Sequence, residues 1–471
     1  MANRSENLPK KFTDRLSGQL SAEDFESFKE AIDGDVPVSY RVNPFKPAEI
    51  EFSDTTPVPW CDEARYIAKR PSFAEDPLIF AGAYYVQEAS SMFLWKALTQ
   101  HAPLDKDIKV LDLCAAPGGK STLINSLLTE KSMLVSNEIV GKRSLPLIDN
   151  LVRWGNPNTI VTGNYAENFA QLREYFDVIV TDAPCSGEGM FRKDPKAADL
   201  WSPSLVESCA NVQIDIVNHI PRALKMGGLY IYSTCTFAPE ENEQRLEQIL
   251  DTGEFEPLEV DFDPAWGITK IEVEKNGEKA TGYRFIFHKT KGEGLFLAAF
   301  RKKGEEARTQ KFSISPKKIK SIFMVRKRES EDLRKWLKNG KDYEFYQDDR
   351  EEVFAIPSHM VQDFKILTVS QKVRHQGIKM GRFNKKNNEL IPDHELAVSN
   401  IVAENIPRQE VEYRDAINFL KKQEMSIRSI DGVKKGWAII TYKGLALGWV
   451  KALPNRLNNY YPSELRLRKD V

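Results

Sequence analysis

Between Ile108 and Cys235 the chain repeats one pattern, a short apolar run whose polar residues gather at its carboxyl end, followed by sequence with helical spacing. The runs are IKVLDL, MLVSNE, NTIVTGN, FDVIVTDAP and GGLYIYSTC. Strands that alternate with helices pair in parallel, with helices covering both faces of the sheet. The expectation is an α/β, Rossmann-like domain. In such sheets ligands sit beyond the carboxyl ends of the strands, where Gly118, Glu138, Asp182 and Cys235 all fall.

A chain of 471 residues has room for about three or four domains. The first ninety residues mix helical pattern (AEDFESFKEAI) with the extended, Pro-punctuated SYRVNPFKPAEIEF, which predicts a small α+β extension over residues 1–95. The parallel-sheet domain is expected over 96–303. Around Gly304 the composition shifts, because RKKGEEARTQKFSISPKKIK is strongly basic and poor in large apolar residues. Residues 304–371 then read as a basic intermediate segment, with a basic helix in SIFMVRKRESEDLRKWLKNG and short strands in YEFYQDDREEVFAIP. A last unit, 372–471, holds β-like runs (GWAIITY, LALGWV) and interleaved basic, aromatic and amide residues, as in RLNNYYPSELRLRKD. That spacing suits base stacking and phosphate contact, and equally suits a small β domain with a solvated basic face.

Composition excludes several classes. No stretch approaches the ~18 consecutive apolar residues of a membrane span, and the start MANRSENLPKKF lacks the apolar run of a secretory signal, so a soluble, cytoplasmic protein is expected. The five cysteines are odd in number and form no C-x-x-C pair, which argues against disulfides and zinc. His375 and His394 have no partner at metal-ligand spacing, so no metal is expected. A net charge of −1 speaks against nucleic acid, but it averages a segregated chain. Acids gather in the helices of the central domain and in EENEQRLEQILDTGEFEPLEVDFD, whereas bases concentrate from Arg301 onward. Arg301-Lys302-Lys303, Lys317-Lys318 and Lys385-Lys386 are candidate phosphate contacts.

The turn DLCAAPGGKS, Asp112 to Ser121, is the sharpest local signal. Pro117, Gly118 and Gly119 allow a tight turn close to a ligand, and the following helix offers free N–H groups. It is neither the G-x-x-x-x-G-K-[ST] phosphate loop nor G-x-G-x-x-G, which weakens nucleoside triphosphate and dinucleotide readings. Alone it is equally a plain strand-to-helix connection. Glu138 tips the balance, since an acid ending the next strand can accept hydrogen bonds from ribose hydroxyls. Turn and acid describe a cofactor containing a nucleoside without saying which.

Two cysteines decide the chemistry. Cys185 lies in TDAPCSGEGMFRKDP after the fourth run and Cys235 in YSTCTFAPEENE after the fifth. A single cysteine is most often small apolar filler. Both of these instead sit in polar turns, beside Asp182 and Thr234, on strands expected to be neighbours. A thiolate is a strong nucleophile, suited to attack on an electron-poor pyrimidine.

Taken together, DLCAAPGGKS, Asn137-Glu138, DAPCSGEGMFRKDP and YSTCTFAPEENE, in this order and spacing, resemble the Sun-type RNA (cytosine-5)-methyltransferases, and among them the bacterial enzymes of ribosomal RNA. The resemblance extends from YYVQEASSM to GWVKALPNRLNNYYPSELR, so it spans essentially the whole chain. It implies S-adenosylmethionine as cofactor, bound by Cys114, Ala115, Ala116, Pro117, Gly118, Gly119, Lys120, Glu138 and Asp182. It further implies Cys235 as nucleophile toward carbon 6 of cytosine and Cys185, as thiolate, as the group that assists release. Asp182 would hold the polar edge of the base, as a carboxylic acid or through its hydrogen bonds, and Lys120 would help position it. The last hundred residues resemble a PUA-type RNA-binding domain. One position departs from the family's pattern: where an acid often lies near the adenine, this chain has GNYAENF, which leaves Tyr165, or Asn164 with backbone groups, for that contact.

The implied activity is methylation of carbon 5 of cytosine in 16S ribosomal RNA of the small ribosomal subunit, by a monomer. Another RNA such as tRNA, or a non-catalytic ribosome assembly factor with a relic pocket, are the alternatives. A DNA cytosine methyltransferase would use the Pro-Cys thiol and carry a Glu-Asn-Val tripeptide that this chain lacks. An amino-group methyltransferase would carry an Asn/Asp-Pro-Pro-aromatic turn in place of Asp182-Ala183-Pro184-Cys185.

Overall fold

A computed structural model of the chain describes residues 4–304 and 321–468. Lys317 and Lys318 lie outside the described residues. The chain opens with helices α1 (Lys10–Gln19) and α2 (Ala22–Asp33). The Ser21 hydroxyl caps α2 by accepting the Asp24 N–H at 3.0 Å. Strands β1 (Val38–Val42), β2 (Thr55–Val58), β3 (Cys61–Ile67) and β4 (Tyr84–Val86) form an antiparallel sheet in the order β2-β3-β1-β4, with α3 (Pro77–Ala81) leading into β4. Helix α4 (Phe93–His101) then joins this extension to the central domain.

All five apolar runs are strands. They are β5 (Lys109–Asp112), β6 (Met133–Asn137), β7 (Thr159–Thr162), β8 (Phe176–Asp182) and β9 (Leu224–Thr234). Between them run α5 (Gly119–Leu127), α6 (Gly141–Trp154), α7 (Ala166–Phe169), α8 (Pro195–Leu200) and α9 (Pro203–Ala223). The five strands are parallel in the order β7-β6-β5-β8-β9. From β5 the chain turns to β6 on one side, while β8 lies on the other, so the sheet reverses direction beside β5, where a crevice opens for a ligand. After α10 (Glu243–Asp251) come β10 (Phe255–Leu258), β11 (Thr269–Lys275), β12 (Glu278–Phe285) and β13 (Leu295–Lys302). They add antiparallel strands beyond β9, with β10 also pairing with β13.

Period-two alternation sets which face each side chain meets. Leu111, Val135, Ile179, Tyr230 and Tyr232 point to one face, against Ile216, Val217 and Ile220 of α9 and Leu246 and Ile249 of α10. Val110, Leu134, Val178, Val180 and Ile231 point to the other, against Phe93 and Leu94 of α4 and Leu123 and Ile124 of α5. Each large side chain withdrawn from water in this way contributes about 1.5–3 kcal/mol, which fixes the strand ends in space.

The downstream half is two further sheets. β14 (Ile322–Met324), β15 (Tyr343–Asp348), β16 (Val353–Pro357), β18 (Ile378–Phe383) and β19 (Leu390–Pro392) form an antiparallel sheet. With it go α11 (Lys327–Arg334), α12 (Val361–Ser370) and α13 (His394–Val398). Between α12 and β18 the chain makes β17 (Val373–Gln376), which leaves this sheet and pairs antiparallel with β7 at the edge of the central sheet. The boundary expected between 371 and 372 therefore falls inside one unit, because β16 pairs with β18 across it. Composition marks where surface charge changes, not where strands pair. The last unit orders β20 (Arg408–Glu410), β21 (Gly436–Tyr442), β22 (Leu445–Leu453) and β23 (Arg456–Asn459) in one sheet, with α14 (Tyr413–Leu420) packed on it.

One expectation needs correction. Arg301 donates to the carbonyls of Gly227 at 2.9 Å and His101 at 3.0 Å, Lys302 is buried and donates to Leu224 O at 3.0 Å, and Lys303 pairs with Glu278. Arg301 and Lys302 tie β13 to its surroundings and Lys302 is withdrawn from phosphate, whereas Lys303 stays exposed in its surface pair; a run of charge in sequence does not reveal that one member points into the core. Lys385 and Lys386 are exposed in the turn between β18 and β19, with Lys385 3.0 Å from Glu351. Among the described residues no helix is long and apolar enough to cross a membrane.

Candidate active site

The ends of β5, β6, β8 and β9 converge on a cavity of about 470 Å³, within the range that holds a nucleoside-sized ligand. After β5 the chain turns sharply through Cys114–Lys120 into α5. Gly118, the residue before α5, has φ 112°, and a Cβ there would approach Leu147 Cδ1 to 3.2 Å, so both conformation and space call for glycine. Below the turn, Asp112 accepts the Ser121 hydroxyl at 2.7 Å, and Ser136 donates to Ser121 at 2.9 Å. Burial pushes the Asp112 carboxyl up to about 7.

Asn137, at the end of β6, ties three loops together. Its amide nitrogen donates to Leu113 O and Asn164 O, each at 2.9 Å, while its oxygen accepts the Asn164 N–H and the Thr162 hydroxyl, each at 2.9 Å. Glu138 follows, nearly buried. One of its oxygens accepts the Val140 N–H at 2.8 Å and the other lies 3.7 Å from Arg143 Nε. Exposed Ile139 and Val140 supply apolar wall beside this carboxylate. Tyr165, 64% exposed, begins α7 at the far rim.

On the other side of the crevice, β8 and β9 run in register, with Asp182 beside Ser233. Asp182 accepts the Ser233 hydroxyl at 2.9 Å and pairs with Lys120 at 2.8 Å. Burial alone would lower the Lys120 pKa, but the Asp182 carboxylate outweighs it, with Cys235 and Asp112 adding to the rise, so the ammonium stays charged. The same register brings the two cysteines together: Cys185 Sγ lies 3.1 Å from Cys235 Sγ, and the Cys235 N–H points at Cys185 Sγ at 3.3 Å. Both thiols are free. The contact with Cys235, followed by burial, holds the Cys185 thiol well above its ordinary range, so Cys185 keeps its proton while Cys235 faces it.

The Cys185 turn rests on Glu241, a buried residue of the loop after Cys235. Its carboxylate accepts the Ser186 N–H at 3.0 Å, the Ser186 hydroxyl, and Gln213 Nε2 at 2.9 Å, while Gln213 also donates to Pro184 O at 2.9 Å. Burial pushes the Glu241 carboxyl up to about 7 against these hydrogen bonds.

Of the residues expected from the sequence, Cys114, Ala116, Glu138, Tyr165, Asp182, Cys185 and Cys235 line the cavity. Ala115 is buried behind it. Pro117, Gly118 and Gly119 shape the turn without lining it, and Lys120 reaches the site through Asp182. Burial raises the Cys114 thiol well above its usual range, which fits a wall residue rather than a nucleophile. Sequence reasoning missed Val212, Asp215 and Ile216, which α9 brings to the cavity, as well as Ser233 and Glu241. Ser233 and Glu241 stand inside the YSTCTFAPEENE stretch and were open to notice; the α9 residues carry no local signal. Among the described residues no group of three or more His, Cys, Asp or Glu could hold a metal ion.

The family described as 16S rRNA methyltransferase RsmB/F matches residues 99–301. The N-terminal domain of 16S rRNA methyltransferase RsmF matches 8–89, and the methyltransferase RsmF PUA domain matches 407–467. Ribosomal RNA small subunit methyltransferase F of Aliivibrio fischeri is 33% identical over 91% of this chain and 90% of its own length. The chain belongs to this family. The protein of the same name from Escherichia coli is 29% identical over 99% of this methyltransferase and 98% of itself. Among solved structures, a methyltransferase homolog from Pyrococcus horikoshii superposes with a TM-score of 0.52 at 26% identity, covering 64% of this chain and 99% of that one. NSun6 from the same organism gives 0.50 at 19% identity, covering 63% and 99%, a likeness of fold.

Proposed function

We propose that this rRNA methyltransferase transfers a methyl group from S-adenosylmethionine to carbon 5 of a cytosine in 16S ribosomal RNA, in the cytoplasm, through a covalent bond from Cys235. The observation that carries the reading is the pair of free thiols 3.1 Å apart at one end of the cavity. Methylation of an exocyclic amine needs no thiol, whereas carbon 5 of cytosine is a poor nucleophile until a group adds at carbon 6. The donor set also fits the cofactor. Glu138 can accept ribose hydroxyls, Ile139 and Val140 offer apolar contact to a base, and small Ala116 and Ala183 leave room between them. NSun6 from Pyrococcus horikoshii, of the same fold, was solved with SFG, an S-adenosylmethionine analogue.

The chain's own residues have separate tasks. Lys120 orients Asp182, and their ion pair meets the polar edge of an extruded cytosine. Cys235 thiolate forms a bond from sulfur to carbon 6, and electron density moves onto carbon 5. S-adenosylmethionine, when bound, supplies the electrophilic methyl group that carbon 5 takes. Once the Cys235 sulfur is in a C–S bond it no longer takes the Cys185 S–H as a hydrogen-bond acceptor, and the strongest influence holding the proton on Cys185 is gone. Cys185 then releases that proton to solvent, accepts the proton from carbon 5, and with its restored S–H stabilises the Cys235 thiolate as the C–S bond breaks.

Denaturing electrophoresis with labelled RNA tests this order. Cys185→Ala is expected to accumulate a covalent protein–RNA adduct, and Cys235→Ala to form neither adduct nor product. Adducts in the Cys235 variant would refute the assignment. Bisulfite sequencing of ribosomal RNA from a deletion strain identifies the substrate, and unchanged methylation at every small-subunit site would refute 16S RNA.

A further inference from the structure

Strand β17 lies well outside residues 99–301, the stretch matched by the methyltransferase family, yet it is the edge strand of the catalytic sheet. Its pairing with β7 is irregular. Val373 pairs with Thr162 and His375 with Val161, leaving Arg374 at a bulge between them. Bulges re-aim the side chain they carry. Here the Arg374 guanidinium turns over the ends of β6 and β7, where Nη2 donates to Ile139 O at 2.9 Å and Nη1 lies 3.4 Å from the Ser144 hydroxyl of α6. Gly163 makes the passage: a Cβ there would lie 2.1 Å from Arg374 Nε. Just before the bulge, the Lys372 N–H donates to Asn164 Oδ1 at 2.8 Å, Lys372 O accepts the Gly163 N–H at 3.0 Å, and Gln371 Nε2 reaches Asn168 O at 3.2 Å.

Ile139 and Asn164 belong to the two loops that wall the cavity between Glu138 and Ala166, and Ser144 and Asn168 lie in the helices that follow those loops. The Asn164 side-chain oxygen is thereby engaged with the chain 208 residues downstream, which leaves Tyr165 as the exposed side chain of that rim.

We propose that Arg374 is a positioning residue for the cofactor: the bulged β17, delivered by the downstream half of the chain, holds the Glu138–Val140 and Gly163–Tyr165 loops in the shape that binds S-adenosylmethionine. The inference rests on the reading of this cavity as the cofactor site. Arg374 touches neither reacting atom nor thiol, so its loss weakens cofactor binding and leaves the chemical step.

Titration calorimetry of the full chain with S-adenosylmethionine, paired with steady-state kinetics on 16S RNA, tests it. Arg374→Ala is expected to raise the cofactor Kd and KM about 10-fold, as fits the loss of hydrogen bonds from a charged donor, while kcat at saturating cofactor changes less than about twofold. Arg374→Lys, which can serve one acceptor but not both, is expected to recover part of the affinity. Gly163→Ala displaces the same guanidinium without removing its charge and is expected to raise Kd similarly, so the proposal stays testable if Arg374→Ala fails to fold. Wild-type Kd in the Lys and Gly163 variants, or a fall in kcat with KM unchanged, overturns the proposal. Absence of S-adenosylmethionine binding by the wild-type chain would instead overturn the reading of the cavity.

Discussion

Cys185 and Cys235 are the same residue type set in different surroundings. Cys185 is backed by the Ser186–Glu241–Gln213 network, whereas Cys235 stands in the crevice with the charged Lys120 among its electrostatic partners. Lys120→Met is expected to lower kcat about 100-fold, in line with the loss of one preorganised electrostatic donor, with the fold intact by circular dichroism. Glu241→Ala strands the Ser186 N–H, leaves the Gln213 amide with Pro184 O alone, and is expected to cost about 2–3 kcal/mol in a denaturant titration. At this scale the thiols and the turn are legible in the sequence, because cysteines in polar turns and tight glycines carry a local signal, and both cysteines do line the cavity. The sequence is silent on Val212 and Asp215, whose presence at the site depends on how α9 packs.

Among elements, the parallel strands were readable because each buries both faces and so appears as an unbroken apolar run. Strand β17 was not readable. Its sequence, VRHQ, is short and polar, and what makes it a strand is its register against β7, a property of two distant segments. The strand also carries His375, buried with its Nε2 2.9 Å from Glu395 of α13. Burial would lower the His375 pKa, but the Glu395 carboxylate overcomes it and the net shift is upward. A histidine whose folded pKa exceeds the unfolded one contributes stability that is complete below about 6.5 and is lost as pH rises through the folded value. The difference in unfolding midpoint between wild type and His375→Gln is therefore expected to be largest near pH 6 and to shrink toward alkaline pH. A difference that grows with pH would contradict the pairing.

Over the whole molecule, Lys46 stands where three units meet. Its buried Nζ donates to Ala81 O of the extension at 3.0 Å, Arg153 O at the end of α6 at 2.5 Å and Val398 O of α13 at 2.6 Å, while burial lowers its pKa to about 7. Lys46→Met leaves these carbonyls without their donor and is expected to cost about 2–4 kcal/mol, read as a lower or split thermal transition. Near-neutral net charge averages over segregated acids and bases, and the buried Lys302 within Arg301–Lys303 makes clustered bases poor guides to a phosphate path. RNA affinity is still expected to fall with salt, log K against log salt being linear with a slope set by the phosphates neutralised, as filter binding over a salt series would show.

The proposed reaction is defined by the identity of the methylated atom and the sulfur that enables it. Mass spectrometry of nucleosides from 16S RNA incubated with the purified chain and S-adenosylmethionine measures both. 5-Methylcytidine is expected with wild type and none with Cys235→Ser. Formation of N4-methylcytidine, or methylation that survives loss of Cys235, would contradict it.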